Sequence, residues 1–301
     1  MSQDKIAIIG GGKLGSAIAR GFVKGGVPQE QLIITQRNPK KRSSLQKEGF
    51  RVVAELDAQS DISAIMVVVK PKDAISVLRE IKIKSPVNVI LMSAVSGMTS
   101  EAMTKIVGPS FPIFRLKFSV LAEMGPAIIP LSLGNAQAEK SLLRVEELLK
   151  PLGTTAVVSE ATMDMSGWDL STLPAVIIPQ LIRERLSHVP AQDKILVEKL
   201  ILSGLQRTLS YLIEEQKKGQ RLSESVTQLV QRIATPGGLN DAALAYLSEQ
   251  RFWDLSSCAR AVYKKRLDNT ANKISQILTT DDDKKGTPQK LKEPKEIKGG
   301  Y

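Results

Sequence analysis

The sequence predicts an α/β fold, in which a doubly wound parallel sheet is followed by a second domain made of helices. Three observations support this prediction. The first half alternates short β-branched apolar runs with segments of helical periodicity, a glycine-rich loop directly follows the first run, and strand-like runs stop after Ala161. Strands that alternate with helices favour a parallel sheet with helices on both faces.

The sheet is predicted from apolar runs that lie between Lys5 and Ser159. Each run is short and rich in β-branched residues, as expected for a strand that is buried on both faces. The runs cover residues 5–9, 31–35, 51–54, 64–69, 87–92, 127–131 and 154–159. We therefore assign residues 1–160 to the first domain.

Beyond Ala161, apolar residues recur three or four positions apart, which is the periodicity of helices with one buried face. The helical segments cover residues 176–186, 193–216, 223–233 and 254–278. We assign residues 161–278 to an all-helical domain, whose many apolar stripes predict burial in a homodimer or a higher multiple of dimers. Residues 279–301 are rich in Asp, Lys, Gly and Pro, and we predict that they form a disordered tail.

The composition excludes several classes of protein. No apolar run is long enough to span a membrane and no signal peptide is present, so we expect neither a membrane partner nor export. Cys258 is the only cysteine and His188 the only histidine, which leaves no Cys/His cluster for a metal and indicates the reducing cytoplasm. The net charge of +11 comes with only 4% aromatic residues, so we expect no nucleic-acid partner and a surface that steers anionic small molecules.

The glycine-rich loop predicts a dinucleotide-binding site. It follows the first predicted strand, precedes a helix-compatible segment, and has the sequence Gly10-Gly11-Gly12-Lys13-Leu14-Gly15. In this setting G-x-G-x-x-G is the phosphate-binding fingerprint of a Rossmann-type domain. Gly10 permits the tight turn, Gly12 lets the backbone approach the pyrophosphate, and Gly15 allows the helix to pack closely on the strand.

The end of the second predicted strand indicates which nicotinamide cofactor is bound. Proteins that bind NAD place a carboxylate there for the ribose 2′-hydroxyl. Residues 35–42 contain no carboxylate and instead carry Gln36, Arg37 and Lys40, which suit a 2′-phosphate. We therefore predict NADPH as the cofactor, with NADH as the alternative, while a simple solvated basic loop is the competing interpretation.

A third segment, Val69-Lys70-Pro71, ends an apolar strand. In doubly wound folds the ligand crevice lies outside the carboxyl ends of the strands, so we expect Lys70 and Pro71 to line the sugar of the cofactor. The alternative is that Pro71 merely ends the strand and Lys70 is merely exposed.

A candidate anion site lies in the second domain at Thr235-Pro236-Gly237-Gly238. Proline at the first corner and glycine at the second are typical of a tight turn. Its backbone N–H groups, which open into the helix that starts near Asn240, can form an anion-binding concavity. We expect a left-handed backbone at Gly238; a simple interhelical turn is the alternative.

Taken in chain order, the glycine loop, Val69-Lys70-Pro71, Ser93-Ala94-Val95-Ser96-Gly97 and the segment 235–240 resemble the pyrroline-5-carboxylate reductase family over about residues 5–270. The resemblance implies a Rossmann domain, a helical domain that interlocks with its twin in a dimer, and reduction of a cyclic imine to L-proline by NAD(P)H. It also implies that Gly10, Gly12, Leu14, Lys70 and Ala94 contact the cofactor. The predicted cofactor site further includes their neighbours Lys13, Gly15, Val69, Pro71 and Ser93.

The resemblance further implies that the turn formed by Thr235, Pro236, Gly237 and Gly238 receives the substrate carboxylate. Asn240 stands where the family commonly has a threonine that bonds the imine nitrogen, so Asn240 is the candidate catalytic residue. An amide can donate this hydrogen bond, but it cannot relay a proton as a hydroxyl can.

Two other segments depart from the family pattern. Residues 115–119 are Arg-Leu-Lys-Phe-Ser where the family usually has Arg-x-Met-Pro-Asn, beside the nicotinamide. Residues 166–175 are stretched relative to the family's Ser-Gly-Ser-Gly-Pro-Ala, which touches substrate, and they include Trp168.

Three functions follow from these patterns. The first is reduction of 1-pyrroline-5-carboxylate in proline biosynthesis, which needs few catalytic side chains because the cofactor carries the hydride chemistry. The second is reduction of another small imine, suggested by Trp168 and the stretched segment. The third is a catalytically impaired, NADPH-binding dimeric homologue, suggested by the changes at 115–119 and by the tail.

Overall fold

The structure is a computed structural model, which describes residues 4–56, 62–234 and 236–286. Its N-terminal part contains one eight-stranded sheet. The strands are β1 (Lys5–Ile9), β2 (Leu32–Thr35), β3 (Arg51–Val53), β4 (Ile62–Val67), β5 (Ile90–Ser93), β6 (Ile113–Leu116), β7 (Ala127–Leu133) and β8 (Gly153–Val157). Their order across the sheet is β3-β2-β1-β4-β5-β6-β7-β8.

The sheet is parallel from β3 to β6, but β7 runs antiparallel to β6 and parallel to β8. The segment between β6 and β7 contains only the short 3-10 helix Val120–Met124. A parallel pair needs a longer crossover, usually through an α-helix. The predicted parallel sheet is therefore corrected to a mostly parallel one, and β6 is a strand that the sequence patterns did not identify.

Helices account for most of the remaining described residues. The α-helices are α1 (Lys13–Lys24), α2 (Pro39–Lys47), α3 (Pro71–Lys84), α4 (Ser100–Val107), α5 (Ala136–Leu149), α6 (Glu160–Gly167), α7 (Ile178–Ser187), α8 (Lys194–Lys217), α9 (Leu222–Ile233), α10 (Leu239–Glu249) and α11 (Phe252–Gly286). A π-helical segment, Trp168–Ile177, joins α6 to α7. Further short 3-10 helices are Gln29–Gln31, Lys150–Leu152 and Ala191–Asp193.

The two faces of the sheet carry separate apolar cores. Ile6 and Ile8 of β1 pack on one face, in a cluster that includes Phe22 of α1. Ala7 and Ile9 pack on the other face. This alternation follows from the two-residue period of a strand, and apolar residues on both faces are what a helix-covered parallel sheet requires. The predicted α/β fold class, a doubly wound sheet followed by helices, is confirmed.

The chain divides into two compact units whose boundaries differ from the predicted ones. One unit contains the residues up to Asp164 and those from Arg266 onward, and the other is Met165–Lys265. The last part of α11 joins the sheet unit because Ile274 is buried in its second core and Leu278 packs against that core. The segment predicted to be a tail therefore begins inside α11, which continues to Gly286. Within this part of the helix, Asp281 pairs with Arg79. Residues 287–301 lie outside the described residues.

The unit Met165–Lys265 exposes many large apolar side chains. Trp168 is an exception: it is buried, and its ring meets the ring of Tyr263 edge to face, with centroids 5.8 Å apart. The exposed side chains include Ile195, Leu196, Leu200, Leu202, Leu209, Ile213, Ile233, Leu239 and Val262. Among the described residues, no helix is both long enough and apolar enough to cross a membrane.

Candidate active site

The glycine loop links β1 to α1 in a tight turn. Gly10 has φ +115°, a value that L side chains rarely adopt. Its N–H donates to Thr35 Oγ1 at 3.2 Å, and the N–H of Gly11 donates to the Thr35 carbonyl at 2.7 Å. These bonds fix the loop to the end of β2. The first turn of α1 therefore follows directly, with Gly12 as its N-cap residue.

The glycines differ in what surrounds them. A Cβ on Gly15 would collide with the Gly10 carbonyl, so Gly15 is needed for close packing of α1 on β1. A Cβ on Gly12 would meet nothing within 4 Å. The backbone at Gly12 thus faces open space at the N-terminus of α1, where unpaired N–H groups and the helix dipole favour a phosphate. Leu14 packs partly buried against the first core and Lys13 is exposed.

A cavity of about 340 Å³ lies at the carboxyl ends of β1, β2 and β4. It brings together several predicted cofactor residues: Gly10, Gly12, Gln36, Arg37, Val69 and Lys70. It does not include Lys13, Leu14, Gly15, Lys40, Pro71, Ser93 or Ala94. Of the two lysines at the start of α2, Lys41 lines the cavity and the predicted Lys40 does not.

Gln36 is held in place by the surrounding backbone. Its Nε2 donates to the Gly11 carbonyl at 2.5 Å, and its Oε1 accepts from the Asn38 N–H at 3.0 Å. The Gln36 side chain therefore supports the loop. The cavity cations closest to it in sequence, Arg37 and Lys41, are left to bind a phosphate. The Arg37 side chain is 60% exposed, with Nη2 4.0 Å from Glu80 Oε1.

The ends of β4 and β5 lie on the other side of β1 from β2. Lys70 is the N-cap residue of α3 and Pro71 its first residue, where proline fits well. The N–H of Ala94 donates to the Val67 carbonyl at 3.0 Å, and the Ser93 hydroxyl accepts from the Val95 N–H at 3.3 Å. Ser93 and Ala94 are both buried and shape the turn after β5.

A buried polar cluster lies at the end of β6. Arg115, only 2% exposed, donates through Nη2 to Asp164 Oδ1 at 2.8 Å and pairs through Nη1 with Glu160. Glu160 also accepts a hydrogen bond from Ser100 Oγ. Glu160 and Asp164 are four residues apart on α6 and so share one helix face.

Lys117 follows β6 directly and is buried, with Nζ donating to Ser96 Oγ at 3.3 Å. The pKa of its ammonium is lowered to about 8, chiefly by burial and also by the charge of Arg115, while the charge of Asp164 opposes the shift. The sequence patterns did not single out Lys117. Its signal was the alternation of Arg115 and Lys117, which places both side chains on one face of a strand.

The turn in the unit Met165–Lys265 departs from expectation in one respect. The left-handed residue is Gly237, with φ +72°, whereas Gly238 is extended, with φ −82° and ψ 172°. A type II turn requires positive φ at its second corner, which Gly237 occupies after Pro236. The expectation of a left-handed backbone at Gly238 is therefore wrong, because Gly238 is the N-cap residue of α10 and has an extended backbone. Thr235 lies outside the described residues.

Side chains of α10 close this turn. Asn240 Nδ2 donates to the Ile233 carbonyl at 3.1 Å, and the Gly237 N–H donates to Asp241 Oδ2 at 2.9 Å. One turn amide thus already has an anionic partner, Asp241, which the sequence analysis did not identify. His188 is exposed beside Glu184, 3.3 Å away. Among the described residues, no group of three or more His, Cys, Asp or Glu is placed to hold a metal.

Comparison with known proteins places this geometry in context. Residues 5–97 match the family model described as "NADP oxidoreductase coenzyme F420-dependent". The pyrroline-5-carboxylate reductase of Aquifex aeolicus is 24% identical over 259 residues, which cover 82% of this chain and 90% of that protein.

Two solved structures share this fold. Pyrroline carboxylate reductase of Plasmodium falciparum, determined with NADP bound, superposes with a TM-score of 0.75 at 19% identity, covering 90% of this chain and 99% of that one. The 1-pyrroline-5-carboxylate reductase of Streptococcus pyogenes gives a TM-score of 0.71 at 21% identity, covering 89% and 100%. The resemblance predicted from the sequence is thereby confirmed: the chain is similar to the pyrroline-5-carboxylate reductases over most of its length and shares the fold of those that have been solved.

Proposed function

We propose that the chain is an NADPH-dependent oxidoreductase that reduces the carbon–nitrogen double bond of 1-pyrroline-5-carboxylate to give L-proline. The observation that carries this proposal is the glycine loop, whose backbone is open at Gly12 and which adjoins a cavity with Arg37 and Lys41. The similarity to the Aquifex aeolicus reductase along 82% of the chain supports the same activity.

The residues present fit a phosphorylated dinucleotide. The open N-terminus of α1 suits the pyrophosphate, because the first N–H groups of a helix lack intrahelical partners and would be available to a bound phosphate. Arg37 and Lys41 line the cavity at the end of β2, where a 2′-phosphate requires cations. When bound, the reduced nicotinamide supplies the hydride, so that this chain has to orient the substrate and exclude water.

The turn around Gly237 is our candidate for the substrate carboxylate. Asn240 has a second amide hydrogen besides the one given to Ile233, and this hydrogen can bond an imine nitrogen. Asp241 must release the Gly237 N–H, or the carboxylate must use the neighbouring amides at the N-terminus of α10.

A homodimer is part of this proposal. The helices of the unit Met165–Lys265 leave large apolar side chains in contact with water, such as Leu200 at 60% and Leu202 at 62% exposure. Monomeric proteins rarely expose so many apolar side chains on neighbouring helices, and association with a second copy would bury them.

A second candidate function is the reduction of another small imine. It is favoured by the π-helical segment Trp168–Ile177 and by the Trp168–Tyr263 ring pair, which stand where the sequence pattern departs from the family. π-helical turns occur frequently at functional sites. A pocket built on this segment would accept a substrate of different shape.

The test is NADPH oxidation with 1-pyrroline-5-carboxylate, with proline measured as the product. Gly12→Ala should fold normally, because its Cβ meets nothing within 4 Å, but should lose NADPH affinity because the methyl group intrudes on the phosphate. Gly204→Ala, equally unhindered and within α8, is the matched control. Turnover of a different cyclic imine alone would favour the second function. The absence of turnover on every imine would overturn both.

A further inference from the structure

The strand order indicates which part of the sheet edge each half of a dinucleotide would occupy. In doubly wound sheets the ligand lies across the point where the strand order reverses, here between β1 and β4. The cavity with Arg37 and Lys41 takes the half with the 2′-phosphate, on the β2 side. The nicotinamide half then extends over the carboxyl ends of β4, β5 and β6.

Lys117 and Ser96 lie at this second part of the edge. β5 and β6 are parallel neighbours, so the residues that follow them emerge at the same edge of the sheet. Ser96 follows β5, Lys117 follows β6, and their polar atoms are 3.3 Å apart. The side chain of Lys117 is therefore positioned near the predicted nicotinamide.

Lys117 is unusual because a buried cation is costly unless other groups compensate it. It is only 6% exposed, and the partner described for it is the neutral hydroxyl of Ser96. The nearby carboxylates, Glu160 and Asp164, bond Arg115 directly. A cation kept in such a place suggests a role in chemistry rather than in stability.

We propose that Lys117 lies beside the nicotinamide and delivers, through the hydroxyl of Ser96, the proton that the imine nitrogen takes up during reduction. This inference rests on the proposed function. As the hydride forms the new C–H bond, the π electron pair of the C=N bond moves onto nitrogen. The Ser96 hydroxyl gives its proton to that pair and receives one from Lys117 Nζ. The Lys117 side chain, now a neutral amine, then regains a proton from solvent water.

The electrostatic surroundings agree with this role. Burial and the charge of Arg115 lower the pKa of Lys117 while Asp164 raises it, for a value of about 8. An acid with a pKa close to the working pH combines a populated protonated form with ready proton release. Below about pH 8 Lys117 is charged and can donate, and above it the donor is lost.

The kinetic test uses Lys117→Met, which keeps most of the side chain but removes the ammonium group, and Ser96→Ala, which interrupts the transfer. Lys140→Met, an exposed lysine of α5, is the matched control. The wild type and the control should lose kcat as pH rises through about 8. Lys117→Met should lower kcat on the order of 10²-fold and lose this alkaline limb.

A second measurement needs no turnover. The ring of NADP⁺ is positively charged and that of NADPH is not, so NADP⁺ should displace a proton from a neighbouring ammonium. Calorimetry near pH 8 in buffers of different ionisation enthalpy should show more proton release with NADP⁺ than with NADPH. Lys117→Met should abolish this difference, and Lys140→Met should retain it.

The outcomes separate the two proposals. If the wild type reduces the imine and Lys117→Met keeps the alkaline limb, the donor role is wrong and the proposed function stands. Equal proton release with both cofactors would place Lys117 away from the nicotinamide and overturn the inference. If the wild type reduces no imine, the proposed function fails and the donor role fails with it.

Discussion

Glu80 Oε1 lies 4.0 Å from Arg37 Nη2 at the cavity beside the glycine loop. Both side chains are substantially exposed, so the pair itself contributes little to stability. The acidic partner nevertheless shares the cation that we assign to the 2′-phosphate, and it should weaken the binding of an anion there.

We expect Glu80→Gln to increase NADPH affinity a few-fold and to leave NADH affinity unchanged, because NADH has no 2′-phosphate. Arg37→Asp should weaken NADPH binding by about 1.5–3 kcal/mol through loss of a charge-assisted contact. Fluorescence titrations with both cofactors measure these effects. Equal affinity of the wild type for NADPH and NADH would contradict the 2′-phosphate assignment.

The two lysines at the start of α2 provide a matched comparison. Lys41 lines the cavity and Lys40 does not. Lys41→Met should therefore reduce NADPH affinity and make it less sensitive to salt, whereas Lys40→Met should do neither. Calorimetric titration at two ionic strengths distinguishes them. The reverse result would restore the assignment made from the sequence.

The glycines of the Pro-Gly-Gly turn should respond differently to the same substitution. Gly237→Ala forces a left-handed backbone on alanine, which costs about 1–2 kcal/mol, and should raise KM for the substrate by disturbing the turn. Gly238→Ala, in an extended conformation, should be tolerated better. Steady-state kinetics and thermal melts check both, with His188→Ala as a control at an exposed site. Greater damage from Gly238→Ala would show that the substrate approaches that residue.

Leu200→Glu should dissociate the proposed dimer. Leu200 is 60% exposed in a single chain, so in a monomer this surface substitution would have little effect. Leu143→Glu on α5, at a position that is 77% exposed, is the control for adding a carboxylate. Sedimentation velocity at low concentration measures the outcome. A wild type that sediments as a stable monomer with a cooperative melt would remove the basis for dimerisation.

Asp164→Asn should change the pH dependence of the enzyme. The Asp164 charge raises the pKa of Lys117, so its removal should lower that pKa and move the alkaline loss of activity to lower pH. Glu160→Gln combined with Asp164→Asn should destabilise the fold by about 3–5 kcal/mol, because it leaves Arg115 buried without either carboxylate. Activity profiles and denaturant melts are the measurements. An alkaline limb that does not move would mean that Asp164 has no influence on the titrating group.

The regular strands of the sheet were predictable because their pattern is local. β1 matches its prediction, and the other predicted strands lie within a few residues of the observed ones. β6 was missed because the charged Arg115 interrupts its apolar pattern, and only Glu160 and Asp164 from a distant segment make burial of this cation acceptable. Such compensation is a tertiary property that no short window contains.

In the candidate site, too, the features set by local sequence were predictable and those set by tertiary structure were not. The glycine loop was predictable, since Gly10 and Gly15 answer steric requirements of one turn and Gly12 leaves the space beside its backbone open. The choice between Lys40 and Lys41 depended on where α2 begins, which Asn38 determines by accepting a hydrogen bond from the Lys41 N–H at 3.1 Å. The exchange of roles between Gly237 and Gly238 depended on backbone angles that composition does not specify.

The burial of Ile274 in the core of the sheet unit constrains how the chain folds while it is being synthesised. A ribosome releases the N-terminal strands first, and domains generally begin to fold as they emerge. Here part of the second apolar face of the sheet must wait for α11, which is made after every strand of the sheet. A nascent chain would therefore expose part of that face until α11 has emerged, and a nonsense mutation before Ile274 would yield an aggregation-prone product rather than a smaller stable protein.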